Sequence, residues 1–131
     1  MARDYTILVG TVGQGLGVSS DCGESWTKIR QPIPSEATVR TIGLYPDNPH
    51  RVLAGSDGGI FRSEDTGITW GKLDSPMEDL QIWSVVVDPT DPETIFAGTR
   101  PEGFRSRDDG KTWTKMNMGV DMNCPVGTPR T

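Results

Sequence analysis

Histidine and cysteine are nearly missing from this chain: His50 stands alone, and the cysteines are Cys22 and Cys124. No His/Cys cluster with metal-ligand spacing exists, so no metal site and no cofactor is expected. Two cysteines make no disulfide scaffold, and neither sits in a Cys-x-x-Cys pair. Free thiols in a reducing compartment, and with the visible Met1 a cytoplasmic location, are the expectation. No apolar run reaches membrane-spanning length, and Gly10 and Gly13 interrupt the start before a leader-like core could form. A basic block is also lacking. At a net charge of −5 over 131 residues, neither nucleic acid nor an anionic membrane gains from the overall field. Hydrophobic residues are scarce, at 34%. They fall in short runs between turn residues, among 16 Gly and 10 Pro, which favours many short strands over disorder.

What the chain does have is repetition. Ser19-Ser20-Asp21-Cys22-Gly23-Glu24-Ser25-Trp26 returns as Ser63-Glu64-Asp65-Thr66-Gly67-Ile68-Thr69-Trp70 and as Ser106-Arg107-Asp108-Asp109-Gly110-Lys111-Thr112-Trp113. The aspartates at 21, 65 and 108 are spaced by 44 and then 43 residues. The similarity extends around the motif. Ile7–Thr11 matches Val52–Ser56 and Ile95–Thr99, each an apolar run ending in Gly and a hydroxyl residue. Val39–Pro49 matches Ile82–Pro92, a β-rich run ended by Pro-Asp turn chemistry. One period thus predicts four strands: A near 39–45, B at 52–56, C at 60–63 and D at 69–73. Strand A, the most uniformly apolar, is expected to be inner and flanked. Strand D, with Lys28, Lys72 or Lys115, suits an outer edge.

A four-stranded period of this length predicts an all-β fold of propeller blades, about three per chain. The whole of 1–131 is expected to be one partial β-propeller. Its repeats lie approximately at 5–30, 38–74 and 81–117, with a tail at 118–131. The first blade begins in strand B and lacks its inner strand. Pro129-Arg130-Thr131 matches the start of another strand A. Propellers close with roughly four to eight blades. The ring is therefore expected to be completed by oligomerisation, with a homodimer of six blades favoured, or by further sequence.

The repeated motif is turn chemistry in physical terms. The Asp carboxylate can accept N–H bonds from the following residues, the Gly can take a positive φ, and the Trp can bury its ring against its own blade and the next. The motif resembles the Asp-box, or BNR repeat. Sialidases, sortilin-type receptors, xyloglucan-cleaving glycoside hydrolases and photosystem II assembly factors carry it. The resemblance implies a structural role, away from any active site, for Ser19, Asp21, Gly23, Trp26, Ser63, Asp65, Gly67, Trp70, Ser106, Asp108, Gly110 and Trp113.

Catalytic residues are not identifiable. Sialidase-type chemistry needs a well-placed Tyr, and Tyr5 and Tyr45 are not so placed. His50, beside Pro49, is expected to be a solvated turn residue. Gly10–Gly17 is glycine-rich, but no helix follows it to bind phosphate. A glycosidase needs two carboxylates across a cleft. The loops opposite the Asp turns offer Asp57, Glu102, Glu36, Asp74, Glu78, Asp79 and Asp121. The candidate ligand face is Gln14, Arg40, Asp57, Gln81, Trp83, Arg100 and Glu102, where strands A meet the B–C loops. Such a face suits a glycan or a peptide. The alternative is that Trp83 packs between blades and that Arg40 and Arg100 make ordinary ion pairs. The expected function is a non-catalytic binding or assembly module that self-associates to complete a ring. The alternative function is part of a sialidase- or xyloglucanase-like glycoside hydrolase propeller.

Overall fold

A computed structural model describes residues 5–100 and 102–116. They form eleven strands. The first sheet holds β1 (Ile7–Gly10), β2 (Leu16–Ser19) and β3 (Thr27–Ile29). The second holds β4 (Val39–Leu44), β5 (Val52–Ser56), β6 (Gly59–Ser63) and β7 (Gly71–Lys72). The third holds β8 (Gln81–Val87), β9 (Ile95–Arg100), β10 (Gly103–Ser106) and β11 (Thr114–Lys115). Every pairing is antiparallel between chain neighbours, so each sheet is a meander. The fold is an incomplete β-propeller: three sheets in series that close no ring among the described residues, the first without an inner strand. No helix among the described residues is long and apolar enough to cross a membrane. The match of Pro129–Thr131 to a strand A, and the loop carboxylate Asp121, lie outside the described residues.

The sheets stack through two apolar cores. Between the first and second lie Leu16, Val18, Ile29, Val39, Val52, Ala54, Phe61 and Trp70. Between the second and third lie Tyr45, Leu53, Ile60, Ile82, Val85, Ile95, Ala97 and Phe104. Strand periodicity explains the division. Along β5, Val52 and Ala54 face one neighbour while Leu53 faces the other, so this strand is buried on both sides and has no polar face. Close approach at the first junction requires a glycine: a Cβ on Gly10 would lie 2.4 Å from the Val39 carbonyl oxygen. At the second junction, a Cβ on Gly55 would lie 2.6 Å from Ile82 Cγ2.

Three details differ from the sequence reading. Strand D spans only Gly71–Lys72 in the second sheet, because the Asp65 carboxylate takes both the N–H and the hydroxyl of Thr69. β4 and β8 are edges of their own sheets, and they leave Leu44 and Val86 exposed. The tryptophans face the preceding sheet, not the next. Trp70 is 8% exposed in the core shared with the first sheet, whereas Trp26, with no preceding sheet among the described residues, is 48% exposed.

Candidate functional site

The three Asp turns sit at one end of the sheets, and each is built by the same bonds. A buried Ser hydroxyl accepts the Gly N–H at 2.8 Å in all three, Ser19 from Gly23, Ser63 from Gly67 and Ser106 from Gly110. The same hydroxyl donates to Asp Oδ1, at 2.9, 2.7 and 2.8 Å. The carboxylate also accepts the N–H and hydroxyl of Ser25, Thr69 or Thr112. Those hydroxyl bonds, then the backbone bonds, hold the carboxyls of Asp21, Asp65 and Asp108 well below the ordinary range, at about 2. Each Trp indole N–H closes the turn on the Gly carbonyl, at 3.1, 2.8 and 3.1 Å. Most of the acceptor capacity of these aspartates is thus used within their own turn, as turn-forming side chains require.

At the opposite end, the hydroxyl residue that closes each B strand shapes the next turn. Thr11, Ser56 and Thr99 donate to the carbonyls of Gly15, Gly59 and Glu102 at 2.8, 3.0 and 2.6 Å. These turns stand beside a pair of β-bulges. The β4–β5 register slips between Val39 and Thr41, and the β8–β9 register slips between Ile82 and Ser84. Arg40 and Trp83 are the extra residues, one per sheet, at the same position. A bulge re-aims its side chain, and here two neighbouring bulges aim theirs at each other. The Arg40 guanidinium lies 4.4 Å from the Trp83 ring centroid. Asp57, in the β5–β6 turn, also forms an ion pair with Arg40. Arg40 thus contacts both an indole and a carboxylate, the stacking on the indole worth about 0.5–2 kcal/mol. Trp83 remains 53% exposed. One ring face is backed by a cation, and much of the indole is open to a ligand.

The rest of the expected face is less unified. Gln81 and Arg100 are direct cross-strand partners at the same end, and Arg100 makes no ion pair among the described residues. Glu102 lies 2.8 Å from Lys115, and Gln14 Oε1 accepts from Lys28 Nζ at 3.5 Å in the first sheet. The structure therefore joins Arg40, Asp57 and Trp83, sets Gln81 and Arg100 nearby, and gives Gln14 and Glu102 separate partners. Among the other loop carboxylates, Glu78 pairs with Lys72 at 2.7 Å. His50 is exposed, with Nδ1 3.1 Å from Thr66 Oγ1. No group of three or more His, Cys, Asp or Glu is placed to hold a metal ion among the described residues.

One polar cluster has no counterpart in the sequence reading. Asp109, from the third sheet's turn, reaches the second sheet. It accepts from Arg51 Nη2 at 2.7 Å and from the Tyr45 hydroxyl at 3.0 Å, and it lies 3.2 Å from Arg62 Nη1. Arg51 also stacks on Tyr45, 4.4 Å from the ring centroid. Glu64 approaches both arginines, though its 2.9 Å contact with Arg51 Nε lacks the alignment of a hydrogen bond. Burial, and then the hydrogen bond to Asp109 and its negative charge, raise the Tyr45 hydroxyl above its ordinary value, against an opposing pull from Arg62. The cluster belongs to the junction between sheets, and sequence offered no signal for it beyond scattered charges.

No family model matches the sequence. A xyloglucanase of Hypocrea jecorina (strain QM6a) is 34% identical over 65 residues, which are 50% of this chain and 8% of that protein. An ancestral GH74 enzyme superposes with a TM-score of 0.72 at 22% identity, covering 86% of this chain and 17% of its own. The GH74 xyloglucanase from Xanthomonas campestris gives 0.64 at 22% identity, covering 86% and 19%. YCF48 bound to D1 peptide gives 0.63 at 14% identity, covering 86% and 38%. The chain spans a small part of each of these proteins. It shares their β-propeller-like fold.

Proposed function

We propose that these blades are the glycan-engaging part of a xyloglucanase-like propeller, with Asp-box turns as its rigid frame. Trp83 carries this reading. An exposed indole, backed by Arg40 and Asp57 and flanked by Gln81 and Arg100, offers an aromatic platform with polar groups at its rim, as sugar rings require. The likeness to xyloglucanases supports this reading over the non-catalytic module expected first, and leaves self-association a separate question. Asp57 and Glu102 are each committed to a cation, so hydrolysis would draw at least part of its carboxylate pair from outside these residues.

The test is titration with xyloglucan oligosaccharides, followed by tryptophan fluorescence and calorimetry. Saturable binding that Trp83→Ala abolishes and Arg40→Ala weakens is the expected result. No binding across a panel of β-glucan oligosaccharides would sink the reading. The committed carboxylates also favour a second reading, a non-catalytic module that binds an extended peptide. A peptide that saturates the same titration where glycans fail would decide for it.

A further inference from the structure

Each sheet of this chain receives the next by one rule. The second sheet offers a recess at Thr41, Gly43, Leu53 and Gly55. Ile82 and Val85 of the third sheet fill it, lying 2.6 and 3.1 Å from where a Gly55 Cβ would stand. The Val85 N–H also donates to Thr41 Oγ1 at 3.2 Å. By strand register, the same positions in the third sheet are Ser84, Val86, Phe96 and Gly98. Here they line an open, largely apolar cleft of about 350 Å³, with Val86 exposed.

The other end of the stack carries the complementary face. Ala54 and Trp70 of the second sheet pack onto the sheet before it, and their equivalents in the first sheet are Val9 and Trp26. Both are exposed, and with Gly17 and Lys28 they line a second cleft of about 350 Å³. Gly17 stands where Phe61 and Phe104 stand in the other sheets, so this face is recessed. Among the described residues β1 pairs only with β2, and its other edge lies at the same place.

We propose that the two clefts are the two halves of one junction, closed head to tail by a second copy of this chain. The surface continues an interface that the chain already makes twice within itself, and exposed apolar faces of this kind mark association sites. Because the two faces differ, the contact is heterologous, and two copies close it only if each returns the other's contact.

Light scattering on the full 131-residue protein tests this, with the dimer expected at twice the 14.3 kDa chain mass. Val9→Asp blocks one face and Val86→Asp the other. Both positions are exposed, so unchanged circular dichroism is expected, and each variant should run as a monomer. Mixing the two variants leaves one intact junction and should restore association, more weakly than in the parent. A monomeric parent, as when a further blade of a longer polypeptide covers the face, overturns the proposal. So does a dimer indifferent to both substitutions, or a mixture that stays monomeric. Glycan binding at Trp83 is unaffected in either variant, so this proposal and the proposed function fail separately.

Discussion

The two junctions between sheets use the same strand positions but different chemistry. The first, between β1–β3 and β4–β7, is held by apolar packing, and no ion pair crosses it among the described residues. The second has an equally apolar core and adds the Asp109 grip on Arg51, Arg62 and Tyr45. At the positions of Arg51, Arg62 and Asp109, the first junction has Thr6, Val18 and Thr66. Stacking therefore needs only the apolar positions. The charges are an addition that fixes how the third sheet's turn sits on the second.

This difference can be broken in order of size. Trp70→Ala removes a buried indole from the first junction and should cost about 3–5 kcal/mol in denaturant unfolding. Trp26→Ala, at the uncovered equivalent, should cost far less. A result with the two equal would contradict their different burial. Gly10→Ala pushes a Cβ into the backbone oxygen of Val39, whereas Gly55→Ala meets the movable ends of Ile82, Thr41 and Val85. Overpacking of this kind costs about 1–3 kcal/mol, with Gly10→Ala the more damaging by melting temperature. Asp109→Ala strips the partner from partly buried Arg51 and Arg62. A loss of about 1–3 kcal/mol is expected, and Thr66→Ala at the matching position should lose less.

The smallest effect is shared by all three sheets. The turn carboxyls ionise at about 2 when folded, against an ordinary 3.8. Their contribution is complete above about pH 4 and is lost as the pH falls towards 2. Melting temperature should fall across that window. Asp65→Asn should be less stable at pH 5 and flatter below pH 4. A variant as steep as the parent would deny the turns this role.

How much of this was legible depended on how local each interaction is. The Ser, Asp, Gly and Trp of each turn bond within a few residues, so repetition alone exposed them. Even there, one partner stayed hidden. Cys22, Thr66 and Asp109 adopt positive φ, at 64°, 63° and 60°, ahead of the glycines for which it was expected. Three different side chains share that conformation, so no residue type could signal it. Arg40 and Trp83 were assigned correctly to the start of strand A. Their stacking depends on a bulge in each strand and on the distance between sheets, neither of which a single strand encodes. The Asp109 cluster joins residues tens of positions apart that differ at every repeat, so periodicity could not reveal it.

The paired bulges have one more consequence. Each adds a residue that no ladder bond needs and no core contact fixes, one in the second sheet and one in the third, at the same rim. Exchanging that residue alters the chemistry at the rim and leaves the apolar cores that hold the sheets together untouched. The rim is then a row of sockets on a fixed frame. Arg40 and Trp83 fill two of those sockets, and the proposed glycan site depends on which side chains occupy them.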